Sequence, residues 1–199
     1  MKGVFICIEG LDGSGKSTQA KLLTKKLCQT GYNAVFTAEP SQGKIGKFLR
    51  KRLFEQERMS TTVEALLFAA DRLEHVQNIV VPALKEGKIV ISDRYVYSSL
   101  AYQGSVGLNL AWIEAINANA QKPDLSIFID VAPEVVLERL KRKKSVMENL
   151  QTQQCVRKIY QKYVERGVLK WVDGAKSKRE VLDVLYAEVT CFLKDKVEA

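Results

Sequence analysis

An α/β fold in three layers, a five-stranded parallel sheet flanked by helices on both faces, is the architecture this sequence predicts. Two observations carry that expectation. Apolar runs of strand length alternate with stretches of helical period along the whole chain, and a glycine-rich loop falls directly between the first run and the first helical stretch.

Taken in order, GVFICIE at 3–9 reads as a buried strand, 16–30 as a helix, NAVFTA at 33–38 as a second strand and 62–85 as a long helix. A strand KIVIS at 88–92 follows, then helical stretches near 95–103 and 109–120, and a strand LSIFIDV at 125–131. Helices near 133–143 and 148–166, a short strand near 168–172 and a last helix at 177–194 complete the pattern. The prolines at 40, 82, 123 and 133 stand mostly at junctions. With no internal repeat, low-complexity tract or linker-like stretch, one domain spanning 1–199 is expected.

The chain is 46% hydrophobic and 27% charged, a soluble balance. No apolar run approaches the roughly 18 residues of a membrane span. Met1-Lys2-Gly3-Val4-Phe5 leads straight into the first strand without signal-peptide architecture, so a cytoplasmic protein with no membrane partner is expected. Cys7, Cys28, Cys155 and Cys191 lie far apart, and His75 is the one histidine, which disfavours a zinc site and predicts small buried thiols. A net charge of +8 implies anionic partners, either phosphate-bearing small molecules or nucleic acid. The densest basic run, Arg139 to Lys144 with only Leu140 uncharged, is confined to one stretch and lacks the interleaved aromatics of a single-strand binding platform.

Gly10-Leu11-Asp12-Gly13-Ser14-Gly15-Lys16-Ser17-Thr18 satisfies GxxxxGK[S/T] after a strand and before a helix, the context that such a phosphate cradle requires. With glycine near 7% of residues, a chance match in a chain this long is on the order of 1% before context is considered. The glycines free the backbone so that successive N–H groups can face phosphate oxygens, and the helix N-terminus adds favourable dipole charge. Lys16 can reach the β and γ phosphates of ATP, and the Ser17 hydroxyl can ligate magnesium. The expected fold is therefore of the P-loop NTPase kind, although the loop alone does not choose the phosphoryl acceptor.

In such a sheet the ligand crevice lies beyond the carboxyl ends of the strands. Asp93 and Arg94 follow KIVIS at such an end; the carboxylate can hold magnesium and the guanidinium can fork onto a phosphate. Asp130 ends the next strand and ranks second, because no arginine accompanies it. On the long helix Phe68 and Arg72 are four apart and share a face, a ring and a guanidinium side by side that suit a nucleobase. Glu39-Pro40 closes the second strand, and Tyr102-Gln103-Gly104 adds polar groups to the same sheet edge. If that stretch is helical, Ser98 shares a face with Tyr102, and Ser99 with Gln103.

These residues together resemble the thymidylate kinase family, ATP-dependent enzymes of the P-loop nucleoside-monophosphate-kinase fold that phosphorylate dTMP to dTDP. The matching pieces are EGLDGSGKSTQAKLL at 9–23, AEP at 38–40, EALLFAADRLEHV at 64–76 and SDRYVYSSLAYQG at 92–104. The resemblance implies a role in dTTP biosynthesis, with ATP and Mg2+ bound and no nucleic acid. It implies that Asp12 faces the sugar 3′-hydroxyl, Phe68 stacks on thymine, and Arg72 bonds the base carbonyl and the acceptor phosphate region. Arg94 would hold the acceptor phosphate, Ser99 and Gln103 the base, and Tyr102 would pack beneath the deoxyribose; Glu39 joins the substrate side. Members are commonly homodimers, and the same is expected here.

In this family further cations come from a mobile lid or from an arginine inside the phosphate loop. That loop position is Gly13 here, so the lid, about 139–150, is expected to supply them. Where many members have Asp-Arg two residues before a Glu, this chain has Ser145-Val146-Met147-Glu148. The lid cations are instead Arg139, Lys141, Arg142, Lys143 and Lys144, with Arg142 the candidate catalytic one beside Lys16, Arg94 and Asp93. Two other readings stay open on the residues. One is a deoxynucleoside kinase using Glu39 as base; the other is a nucleic-acid-associated P-loop ATPase drawing on the basic charge.

Overall fold

The computed structural model describes residues 3–53, 59–140 and 149–198. Five strands, β1 (Val4–Gly10), β2 (Ala34–Ala38), β3 (Ile89–Asp93), β4 (Leu125–Asp130) and β5 (Lys170–Asp173), lie parallel in the order β2-β3-β1-β4-β5. The chain leaves β1 toward β2 on one side and later crosses to β4 on the other, so the order reverses at β1, the position that opens a ligand crevice. The register sets Ile8 against Asp93 and Gly10 against Ile129, which brings the carboxyl ends of β1, β3 and β4 to one edge.

Strand period sorts the core onto two faces. Val4, Ile6 and Ile8 of β1 join Ile127 and Ile129 of β4 beneath helices α1 (Lys16–Gln29) and α9 (Lys178–Glu198), which contribute Leu23, Leu27, Val181, Leu185 and Val189. On the opposite face Phe5 and Cys7 meet Val76, Val80 and Tyr95, while Phe128 meets α5 (Val96–Ser105) and α8 (Leu150–Glu165). The Phe128 ring stacks on Tyr160 at 4.7 Å between centroids. Local signals set the helix starts. Asn149 accepts from the Thr152 N–H before α8, and Ser177 and Glu180 form a reciprocal capping box before α9.

Four local expectations differ from what the structure shows. The stretch 62–85 is α3 (Thr61–His75), one π-helical turn (Val76–Val80) and α4 (Val81–Lys85); the π turn ends two residues before Pro82, which has no N–H to give the helical ladder. A helix α2 (Lys44–Arg52) occupies a stretch in which no element is expected, since it is only nine residues long and holds an internal glycine. Helix α6 (Leu110–Ile116) stops four residues early because the Asn117 amide takes the Ile113 carbonyl and turns the chain. Of the cysteines only Cys7 is buried; Cys28 and Cys191 stand on the solvent sides of α1 and α9. Helix α7 (Pro133–Arg139) opens on Pro133. Lys141, Arg142, Lys143, Lys144 and Ser145 to Glu148, most of the expected lid, lie outside the described residues. Among those described, no helix is long and apolar enough to cross a membrane.

Helix α2 is tied to the loop after β2. Asp71 of α3 accepts from the Ser41 N–H at 2.7 Å and hydroxyl at 2.6 Å, and Arg50 of α2 donates to the carbonyls of Pro40 and Ser41. Gly46 is where α2 touches that loop, and a methyl there would overlap the Ser41 backbone. Gly46→Ala is expected to lower the unfolding free energy by about 1–3 kcal/mol, read from urea denaturation, despite the better helix propensity of alanine.

Candidate active site

Residues 10–18 link β1 to α1. Gly15, the residue before α1, has φ 92°, left-handed geometry that glycine adopts without strain, and no side chain caps the helix. The first amides of α1 consequently face the loop without intrahelical partners. Ser14 is buried and its hydroxyl oxygen has no partner among the described residues. Lys16 is only 4% exposed and donates to the Leu11 carbonyl at 3.2 Å and to Asp12 Oδ1 at 3.3 Å. Ser17 and Thr18 are exposed. At Gly13 a Cβ would lie 2.9 Å from the Val136 carbonyl oxygen and 3.0 Å from Leu140 Cγ, so α7 fills the space into which a loop arginine would project.

Arg94 meets this loop from β3. It is the one described non-glycine residue at positive φ, 72°, a conformation kept where surrounding bonds over-determine it. Its N–H bonds the Ile8 carbonyl at 3.0 Å, Nη1 donates to Ser98 Oγ at 2.9 Å, and Nη2 forms an ion pair with Asp12 Oδ1. Tyr102 accepts from the Asp12 N–H at 2.9 Å and returns its own proton to Asp12 Oδ2 at 3.1 Å; its ring lies 4.9 Å from the Arg94 guanidinium. Lys16 and Arg94 therefore share one carboxylate oxygen. Asp93 is buried, and its Oδ1 has no hydrogen-bond partner among the described residues.

The second half of the site is a ladder between α3 and α5. Glu64, Phe68 and Arg72 recur at four-residue spacing, as do Ser99 and Gln103. Gln103 Nε2 donates to Glu64 at 3.0 Å, and Arg72 Nη2 donates to Ser99 Oγ at 3.1 Å. Phe68, partly exposed, stands on α3 between these rungs. Arg72 is 1% exposed, although its flank of a partly exposed ring suggests a surface cation; Glu39 takes its Nε at 2.9 Å and Asn117 its Nη1 at 2.5 Å. Glu39 also meets His75 Nδ1 at 3.1 Å. Gln103 Oε1 is buried and has no partner among the described residues.

Several partners are absent from the sequence reading. Asn117 and His75 join the Glu39–Arg72 network through tertiary contact alone. Asp130, ranked second for want of an arginine, has one: Arg157 of α8 forks onto it at 2.7 and 2.9 Å, and Trp171 donates at 3.1 Å. That arginine comes from 27 residues further along, where strand-end spacing gives no signal. Glu9 is fully buried just before Gly10. Its Oε1 accepts from the N–H groups of Tyr95 at 2.9 Å and Ser98 at 3.3 Å, and its Oε2 from the hydroxyls of Ser98 at 2.6 Å and Tyr160 at 3.0 Å. A lone carboxylate in an otherwise apolar strand is the signal that could have marked it. Arg139, the described end of the basic run, is exposed.

Comparison with known proteins agrees in family across most of the chain. A family model described as thymidylate kinase matches residues 8–184. The chain is 45% identical over 170 residues to a probable thymidylate kinase of Pyrococcus horikoshii, covering 83% of each. It is 47% identical over 146 residues to a thymidylate kinase of Caldicellulosiruptor saccharolyticus, covering 71% of each. Over 162 residues it is 43% identical to a probable thymidylate kinase of Methanococcus vannielii, covering 81% of this chain and 78% of the relative.

Charge in the site is unevenly balanced. Burial works against the Asp12 carboxylate, but Arg94 and then Lys16 outweigh it and hold the group well below the usual carboxylate range. Burial and the neighbouring Arg94 push Lys16 down, and Asp12 opposes them. Glu9 behaves oppositely: burial raises it from 4.5 to about 7, against hydrogen bonds from Ser98 and Tyr160 and the Arg94 charge. A folded carboxyl with a raised value holds its proton longer than the unfolded chain does. Its contribution to stability therefore falls as pH rises between 4.5 and about 7, by about 3 kcal/mol in all, and is flat above. Glu9→Gln is expected to remove that fall, so urea denaturation at pH 5 and pH 8 will show a smaller loss toward pH 8 in the variant than in the parent.

Proposed function

Because the chain belongs to the thymidylate kinase family, its reaction is transfer of the γ-phosphoryl group of ATP to dTMP, and we propose the residue roles that follow. The observation that carries them is the convergence of Lys16 and Arg94 on Asp12 Oδ1, which joins the donor loop to the acceptor side at one point. The α1 amides, the Ser14 hydroxyl and Lys16 hold the ATP phosphates. Arg94 forks onto the dTMP phosphate, Asp12 receives the 3′-hydroxyl, and Tyr102 packs beneath the deoxyribose. Phe68 stacks on thymine, Arg72 reaches its carbonyl, and Ser99 and Gln103 line its edge, with Glu39 setting Arg72.

The oxygen donors Ser17 and Asp93 suit a hard divalent cation, and the unpartnered buried Asp93 Oδ1 fits one held directly or through water. Magnesium, when bound there, neutralises charge on the transferring phosphates. Acceptor activation asks little of the protein, since a phosphate monoester has its second pKa at about 6 and is mostly dianionic near neutrality. Lys16 and Arg94 oppose the repulsion between the two phosphates, and the arrangement works by position and electrostatics. A base-dependent reaction at a sugar hydroxyl is less well supported, because both Glu39 oxygens are bonded by Arg72 and His75.

The reading also includes one domain, a closing lid whose Arg142 adds positive charge, and a cytoplasmic homodimer that works without nucleic acid. Exposed Phe48 on α2 and Val63 and Leu66 on α3, two helices packed together, support a second copy as partner. Sedimentation of the full chain is expected to give a dimer, and Leu66→Asp a shift toward monomer.

Arg94→Ala is expected to lose at least 100-fold in turnover while ATP affinity stays within about twofold, since one preorganised donor at a reacting group is worth on the order of 10²–10³ and Arg94 faces the acceptor phosphate. A coupled ADP-release assay over dTMP, the other deoxynucleoside monophosphates and thymidine tests the acceptor. Turnover with thymidine but not dTMP would overturn the reading.

A further inference from the structure

Glu9 is a fully buried carboxylate that bonds neither Lys16 nor Arg94 directly, yet four donors converge on it from α5, the turn before α5, and α8. An ionised carboxylate only accepts hydrogen bonds. The Ser98 hydroxyl has one proton, and at 2.6 Å it goes to Glu9 Oε2, which turns a Ser98 lone pair toward Arg94 Nη1 at 2.9 Å. The same carboxylate grips the Tyr95 and Ser98 N–H groups, anchoring the backbone just past Arg94 to the strand that carries the phosphate loop. Arg94 sits in left-handed geometry immediately before these anchors. Tyr160 reaches Glu9 and also lies 3.1 Å from Ser98 Oγ, so α8 closes the cage.

We propose that Glu9 is a positioning residue for Arg94, acting through Ser98 to hold the guanidinium toward the acceptor phosphate. The proposal rests on the phosphoryl-transfer reading and deepens it. Glu9→Gln is the informative change because it keeps the shape. The backbone N–H groups retain the amide oxygen, so the new NH2 points at Ser98 and Tyr160, where only an acceptor fitted before. Ser98 then receives a proton where it gave one, and its own proton is driven toward Arg94 or Tyr160. Protonation of Glu9 itself has the same effect. The charged and titratable groups that face it are Arg94, Arg72 from α3, Tyr97 from α5, Tyr160 from α8 and Cys7 on its own strand.

The test uses the full chain, with ATP and dTMP each varied in turn while the other is held at saturation. At pH 8, Glu9→Gln is expected to lower kcat on the order of tenfold, raise the KM for dTMP and leave the KM for ATP within about twofold. Ser98→Ala should reproduce the loss, and the double variant should be no worse than the poorer single, as for residues acting in one chain. The ratio of parent to Glu9→Gln kcat cancels ionisations common to both, including that of dTMP. It should shrink toward one as pH falls below neutrality. A parent-like kcat at pH 8, a ratio that does not change with pH, or additive losses in the double variant would each overturn the proposal. Arg94→Ala, run in parallel, separates the two levels: an active Arg94→Ala sinks the role of Arg94, whereas an inactive one beside a parent-like Glu9→Gln sinks only that of Glu9.

Discussion

Lys16 and Arg94 are like charges that meet at one carboxylate, and Asp12 is what lets them stay there. Without that counter-charge the burial of Lys16 would favour its neutral amine, and the two cations would repel. Sharing one carboxylate oxygen, they hold the phosphate loop against the end of β3, and the parallel register of β1 with β3 makes the meeting possible. Asp12 is thus structural before it is anything else: it holds two cations from different elements on one oxygen. Tyr102 reinforces it from α5 by bonding both its backbone and its side chain.

Helix α5 serves both halves of the site because its residues fall on two faces. Ser98 and Tyr102 turn to β1 and the loop, where they bond Glu9 and Asp12; Ser99 and Gln103 turn to α3, where they bond Arg72 and Glu64. A small rotation of α5 would disturb both sets of bonds together. Its start is secured by Glu9 and its far end by Gln103 on Glu64, so the helix is held at two points by carboxylates on different elements. Burial opposes the ionised form of Glu9, and the hydrogen bonds from Ser98 and Tyr160 that tie α5 and α8 to it work the other way, favouring the carboxylate.

Much of this was legible in the sequence wherever function is written into adjacent residues. Strand, glycine loop and helix from Val4 to Gln29 follow from hydrophobic period and backbone chemistry, and Asp93-Arg94 follows from its place at a strand end. Phe68 and Arg72 were legible as a pair through helical spacing. What was not legible depends on long-range packing: the burial of Arg72 by Glu39 and Asn117, the gripping of Asp130 by Arg157, and the bonds of Glu9, whose partners are 86 to 151 residues away. Helix α2 escaped because it is short and interrupted by Gly46, and the bonds of Arg50 to the Pro40 and Ser41 carbonyls that tie it down are tertiary.

Gly13 carries a consequence for the packing of α7. A Cβ there would lie 2.9 Å from the Val136 carbonyl and 3.0 Å from Leu140, at a positive φ that side chains rarely adopt. The absence of a side chain at 13 is thus what lets the end of α7 rest directly on the loop. Any larger residue would have to lift that helix end away, so loop and helix are packed as one unit whose contact is set by a missing atom.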